Sequence, residues 1–279
     1  MTDQYAVIGN PIAHSKSPLI HLEFAKQTYQ DLSYESILSP LDGFNLKVSE
    51  LINQGYKGVN VTVPFKLEAF ARCNKLSEFA KASGAVNTLI FNEQQVIGDN
   101  TDGTGLVNDL QSNLNTKLNG KRILLLGAGG AARGALLSLI LENPAEIVIS
   151  NRTLTKVHEL IEVMSKSDVL ENKPLRLRAA NYETLTDQVF DVVINATSAG
   201  LTDTALPIPN TIFSVNCLAY DMMYGRETPF MQQARKCGVN VSDGLGMLVE
   251  QAAEAFYIWR GIRPETRSVI QQVRNLIKL

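Results

Sequence analysis

Short apolar runs alternate with amphipathic segments along nearly the whole 279-residue chain, the pattern of successive βαβ units and largely parallel sheets. The runs at 5–8, 34–38 and 58–63 predict strands, and the segments at 18–30 and 46–54 predict helices between them. Pro64 breaks the third run, a helix is expected over 66–81, and two extended runs at 87–91 and 96–97 follow. Their short polar link, 92–95, predicts a hairpin. A polar interruption at 113–122 precedes the most hydrophobic run of the chain, 123–126. From there the order repeats as strand, glycine-rich turn, helix and strand at 147–149, with further strands at 189–195, 213–218 and 239–242. Leu245, Leu248, Val249, Ala252, Phe256 and Trp259 then fall at helical spacing and describe a one-sided core helix. The fold class is α/β, with a seam between two domains placed within 102–120.

Composition narrows the classes without changing that picture. With 26 basic and 28 acidic side chains and a net charge of −2, nothing is built to coat a nucleic acid. A hydrophobic content of 45% with 19 Gly and 10 Pro excludes disordered and collagenous chains. Cys73, Cys217 and Cys237 form no CxxC pair, so neither a disulfide framework nor a metal site is expected, and a reducing cytoplasm is the natural compartment. No basic leader precedes the first strand, and the longest uncharged stretch, 204–220, is interrupted by Pro207 and Pro209; no secretory signal or membrane association is expected.

Gly127-Ala128-Gly129-Gly130-Ala131-Ala132 follows the strand at 123–126 and opens a helix, which is GxGxxA in the context a dinucleotide site needs. Gly127 permits the tight turn, Gly129 lets backbone approach a pyrophosphate, and the free N–H groups of the helix start face the anion. At the end of the next strand an acidic side chain would bind a ribose 2′-hydroxyl. The sequence instead reads Asn151-Arg152-Thr153-Leu154-Thr155-Lys156, with a planar fork at Arg152 and a second cation at Lys156, which favours NADP(H) over NAD. The competing reading of these residues is a solvated loop with a helix cap at Thr153.

Hydride transfer to a carbonyl needs a proton donor at oxygen, and histidine is scarce. Lys66, just past a strand end and at a helix start, sits where the macrodipole disfavours a cation by ~0.3–1 kcal/mol, which marks it as a candidate. A surface lysine remains the plain alternative. Asp102, in Gly98-Asp99-Asn100-Thr101-Asp102-Gly103, reads equally as a reactive carboxylate or a first-turn aspartate. Ser15 and Ser17, flanking Lys16 before Pro18, could cap a helix or bind a polar ligand.

Together these pieces resemble the shikimate dehydrogenase family. The resemblance rests on His14-Ser15-Lys16-Ser17-Pro18, Asn60-Val61-Thr62-Val63-Pro64-Phe65-Lys66, Gly84-Ala85-Val86-Asn87-Thr88, the Asp102 segment and the glycine turn. It continues through Asn151-Arg152-Thr153, Asn195-Ala196-Thr197-Ser198, Asp221-Met222-Met223-Tyr224 and Asp243-Gly244-Leu245-Gly246-Met247-Leu248 to Gln251. It implies NADPH-dependent reduction of 3-dehydroshikimate to shikimate. It also implies a substrate domain at 1–103, a Rossmann-type doubly wound NADP domain at 104–242, and C-terminal helices at 243–279 that pack back on the first. Carried over by motif, Lys66 and Asp102 form the catalytic pair, and Ser15, Ser17, Thr62, Asn87, Tyr224 and Gln251 complete a polar ring around the substrate. Met222 and Gly244 border the nicotinamide, and Glu78 lies near the cofactor. Some relatives carry Pro where this chain has Arg226, which bears on the shape of that loop. A homodimer is compatible with the sequence.

The nearest rival is a quinate/shikimate dehydrogenase using both NAD and NADP, against which Arg152 and the paired serines argue. A methylene-tetrahydrofolate dehydrogenase would need a pterin motif, and none is seen. A non-catalytic NADP(H)-sensing module would not need Lys66 and Asp102 together.

Overall fold

The computed structural model describes residues 2–92, 95–171 and 173–277. The chain divides into two compact units, Met1–Gly105 with Leu248–Leu279, and Leu106–Met247. In chain order the first unit contains β1 (Asp3–Gly9), α1 (Ser17–Gln27), β2 (Leu32–Leu38), α2 (Phe44–Asn53) and β3 (Gly58–Val61). Next come α3 (Lys66–Arg72), β4 (Lys75–Leu76), α4 (Glu78–Ser83), β5 (Thr88–Phe91), β6 (Val96–Asp99) and the start of α5 (Asp102–Asn108).

Its six strands form one mixed sheet, β2-β1-β3-β5-β6-β4, with antiparallel pairing at β3/β5 and β5/β6 and parallel pairing elsewhere. The two-residue period of β1 sends Ala6 and Ile8 into a core with Phe44, Val48, Val59 and Phe65, and Tyr5 and Val7 to the opposite face. The expected hairpin pairing of β5 with β6 is present; Glu93 and Gln94 of its link lie outside the described residues.

Two expectations are revised here. The helix expected over 66–81 is two short helices separated by β4. At Cys73 the backbone turns extended, and Asn74 trades two bonds of 2.8 Å with the backbone of Val96, which draws the chain onto the sheet edge. Ser77 then starts α4 by accepting from Ala80 N at 3.1 Å. The strand expected over 58–63 ends at Val61, because Thr62 O accepts from Phe65 N and closes a turn.

The second unit contains β7 (Arg122–Leu126), α6 (Gly130–Leu141), β8 (Glu146–Ser150), α7 (Leu154–Ser165), β9 (Leu177–Ala180) and β10 (Phe190–Asn195). β11 (Phe213–Asp221), α8 (Pro229–Lys236) and β12 (Asn240–Asp243) complete it. Its sheet is wholly parallel, in the order β12-β11-β10-β7-β8-β9. This is the doubly wound order, with its switch point between β7 and β10, outside whose carboxyl ends ligands bind. Ile123 to Leu126 are fully buried, as a central strand covered on both faces requires. β9 was not anticipated; Leu177-Arg178-Ala179-Ala180 is too short and too mixed to stand out, and its pairing with β8 makes it a strand.

α9 (Leu245–Arg260) and α10 (Arg267–Ile277) end the chain. The stripe expected on α9 is in place from Val249 to Phe256, and within the first unit Phe256 meets Phe24 edge-on at 5.8 Å while Trp259 packs on Tyr5 at 4.7 Å. No helix among the described residues is long and apolar enough to cross a membrane.

Candidate active site

In the first unit, two sheet-to-helix junctions and one helix-to-sheet junction bring a polar cluster together. Lys66 opens α3 after β3, Asn87 precedes β5, and Asp102 opens α5 after β6. Lys66 Nζ lies 2.6 Å from Asp102 Oδ2. Asn87 Nδ2 donates to Asp102 Oδ1 at 2.8 Å and to Thr101 Oγ1 at 3.0 Å, while Thr101 N donates to Asn87 Oδ1 at 3.0 Å. Asp102 is therefore no helix cap: its carboxylate is held between an ammonium and an amide, and its own N–H donates to Asn100 Oδ1 at 3.1 Å. With 29% and 14% of their side chains exposed, Lys66 and Asp102 are sheltered yet open to a ligand.

Deeper in the same unit Asn60 braces the cluster. Its Nδ2 donates to Asn87 O at 3.2 Å, and its Oδ1 accepts from the buried Tyr34 hydroxyl at 2.7 Å. Gln251, on α9, meets the same Asn87 amide, its Oε1 accepting from Nδ2 at 3.4 Å. Ser15 and Ser17 flank the start of α1; Ser17 N donates to Ser15 Oγ at 3.3 Å, so the first serine closes a turn. Thr62 is half-buried in the turn after β3.

In the second unit, the segments leaving β7, β8 and β10 line a cavity of about 880 Å³. The glycine turn at 127–131, Asn151-Arg152-Thr153 with Lys156, and Ala196 to Ala199 contribute its walls. Gly127 has φ +108°, and a Cβ there would stand 3.1 Å from Ala196 O, so only glycine fits the turn. At Gly129 and Gly130 an added Cβ would meet nothing within 4 Å; the space over the α6 N-terminus is open. Among the described residues no carboxylate lines the cavity, so neither Arg152 nor Lys156 meets an acidic partner in its wall. These cations, an open helix N-terminus and a glycine cradle fit the phosphates of a dinucleotide. Thr153 begins α7 without a side-chain cap bond, against the plain capping reading.

A buried scaffold supports one wall. Asp221 Oδ2 accepts from Asn195 Nδ2 at 3.0 Å and from Thr228 Oγ1 at 2.6 Å, and its Oδ1 accepts from Met223 N at 3.0 Å. Burial raises the Asp221 pKa against these bonds. Asn195 Oδ1 in turn accepts from Thr197 Oγ1 at 2.7 Å, so one carboxylate fixes both the Thr197 turn and the segment carrying Met222 and Tyr224.

The chain matches the shikimate dehydrogenase substrate binding domain over residues 7–89, shikimate / quinate 5-dehydrogenase over 109–202 and the shikimate 5′-dehydrogenase C-terminal domain over 244–274. It is 55% identical over 275 residues to the shikimate dehydrogenase (NADP(+)) of Janthinobacterium sp. (strain Marseille), covering 98% of each chain. The chain belongs to the shikimate dehydrogenase family. Among solved structures it is similar to an Ael1 enzyme from Pseudomonas putida, with 46% identity, a TM-score of 0.91 and coverage of 97% of this chain and 98% of that one. It is similar also to shikimate 5-dehydrogenase from Thermus thermophilus in complex with NADP(H) and shikimate, with 31% identity, a TM-score of 0.84 and coverage of 98% and 99%.

In this shikimate dehydrogenase family member, the remaining sequence-expected residues fall in separate places. Met222 and Gly244 lie together in the second unit: a Cβ on Gly244 would be 2.2 Å from Met222 O. Tyr224 follows on the same segment, half-buried, with its phenol pKa raised by burial. Glu78 opens α4 in the first unit and pairs with Lys81 at 2.6 Å. Thr101, the buried bridge between Asn87 and Gln251, was missed as a site residue although it lies inside the Asp102 motif. Tyr182 of the cavity wall was missed with β9, and its only sequence signal is an Asn-Tyr pair after an unrecognised strand.

Proposed function

We propose that this protein catalyses the reversible NADPH-dependent reduction of 3-dehydroshikimate to shikimate. The Lys66–Asp102 pair, closed to 2.6 Å and tied to Asn87, carries the reading. When bound, NADPH supplies the hydride that the carbonyl carbon accepts. Lys66 Nζ presents an N–H to the reacting oxygen, and Asp102 Oδ2 fixes the direction of that N–H and balances its charge. Asn87 holds Asp102 Oδ1 through one Nδ2 hydrogen, so the pair is oriented before a ligand arrives.

A substrate with three hydroxyls and a carboxylate needs many hydrogen-bonding groups and binds poorly where any is left unpaired. Ser15 and Ser17 would take the carboxylate, and Thr62, Asn87, Gln251 and Tyr224 the remaining polar groups. Gly127, Ala128, Gly129, Gly130 and Ala131 would cradle the pyrophosphate. Asn151, Arg152, Thr153 and Lys156 would hold the adenosine 2′-phosphate, Met222 and Gly244 would border the nicotinamide, and Glu78 would stand near the cofactor. The roles divide along the chain as substrate binding by 1–103, cofactor binding by 104–242 and return of Gln251 to the substrate set by the helices of 243–279. The compartment is the cytoplasm, where Cys73, Cys217 and Cys237, all unpaired, would remain thiols.

The test is the initial rate of NADP⁺ reduction with shikimate, measured beside quinate and beside NAD⁺ at matched concentrations. Strong preference for shikimate with NADP⁺ is expected. Comparable rates with quinate or NAD⁺ would replace the reading with a dual-specificity quinate/shikimate dehydrogenase, and no rate with any pair would leave a cofactor-binding module.

A further inference from the structure

β8 and β9 run in parallel with Ser150 opposite Ala180, so Asn151-Arg152 and Asn181-Tyr182 leave the sheet side by side. Asn181 fixes the second exit: its Oδ1 accepts from Thr184 N at 3.0 Å and starts the short 3-10 turn Tyr182–Leu185. The Tyr182 ring is packed among Leu185, Phe190 and Ala180, leaving 6% of the residue exposed. Tyr182 lines the same cavity as Arg152, Thr153 and Lys156.

The Tyr182 hydroxyl has no hydrogen-bond partner among the described residues. It is not a sealed atom either, since the sealed side-chain atoms without a hydrogen bond belong to His21, Ser138 and Ser150. A nine-tenths buried tyrosine on the cavity wall thus carries its one polar atom unpaired and not sealed off. Burial raises its pKa against the opposing charge of Arg152, so at neutral pH the phenol is a hydrogen-bond donor beside a cation. A neutral donor next to a guanidinium suits a phosphate, whose oxygens only accept.

We propose that Tyr182 is a cofactor-binding residue whose hydroxyl donates to the phosphate on the adenosine 2′ position and so sets part of the preference for NADP over NAD. The inference rests on the NADP-linked reading above. Arg152 supplies the charge there and Tyr182 supplies position, because a ring anchored in the core fixes its hydroxyl oxygen in place whereas an exposed guanidinium swings.

Tyr182→Phe removes only the oxygen and keeps the packed ring. Binding of adenosine 2′,5′-bisphosphate and of ADP to the free protein, measured by calorimetry, reads the contact without turnover. The expected result is a roughly tenfold or larger loss for the bisphosphate, the worth of one hydrogen bond to a charged group, with ADP unchanged. The ratio of kcat/KM for NADP⁺ to that for NAD⁺ should fall by the same factor, with the KM for shikimate unmoved. Equal losses for both nucleotides would place the hydroxyl on the adenine or ribose and overturn the proposal, as would no loss for either. Absence of shikimate-dependent turnover in the unaltered protein would refute the function proposed above, whereas the calorimetric comparison would still decide Tyr182.

Discussion

At the scale of single residues, the Lys66–Asp102 contact joins two positions whose surroundings otherwise suggest ordinary roles. Lys66→Ala and Asp102→Asn should each lower kcat by about 10²–10⁴-fold, the usual worth of a positioned proton-transfer group, while leaving NADPH affinity unchanged. Steady-state rates beside NADPH titration check this, and weakened NADPH binding in step with kcat would refute it. His21 predicts a pH dependence. It is fully buried and stacked on Tyr34 at 4.1 Å. Burial, opposed only by the Asn60 side chain, pushes its pKa from 6.5 down to about 3. Between those values the unfolded chain binds the extra proton, so stability is fully present above 6.5 and is lost as pH falls toward 3. Lowering the pH from about 7 to about 5 should cost roughly 2 kcal/mol through this group, and urea midpoints of His21→Phe should lack that share of the decline. At this scale the sequence marked residue types and left their roles open, because a lysine or aspartate at a helix start reads alike whether it faces water or a partner thirty-six positions away.

At the scale of elements, the glycine turn between β7 and α6 separates two uses of one residue type. Gly127 is required by φ +108° and by Ala196 O at 3.1 Å from its would-be Cβ, whereas Gly129 is surrounded by open space. Gly127→Ala should lower stability by about 1–3 kcal/mol, the cost of holding a side chain in a sparsely populated region. Gly129→Ala should melt like the parent yet bind NADPH more weakly, since its methyl would occupy the ligand's approach. Thermal melts and cofactor titration on both variants separate the two, and equal effects would contradict the assignment. The turn was legible because strand, glycines and helix are contiguous. β4 and β9 were not, since strands of two and four residues carry too little periodicity, and each is a strand only through the neighbour it pairs with.

At the scale of the molecule, the proposed function assigns substrate binding to the first unit and cofactor binding to the second. In hydrogen exchange, NADP⁺ alone should slow amides at 127–131 and 151–156, and shikimate alone those at 61–66 and 99–102. Protection of both sets by either ligand alone would contradict the division of roles proposed here. The alternation of apolar runs, the glycine turn and the absence of an acid after Ser150 determined, from sequence alone, an α/β chain with a dinucleotide-type turn. These are local signals, written in the period of side chains and in backbone freedom over a few residues. Tertiary structure alone decided that Asn60 braces Asn87, that Thr101 bridges to Gln251, that Asp221 anchors the Thr197 turn and that Tyr182 stands beside Arg152. Each of these depends on chain segments apart in sequence meeting in the fold, and no local pattern encodes which distant residue completes a buried hydrogen bond.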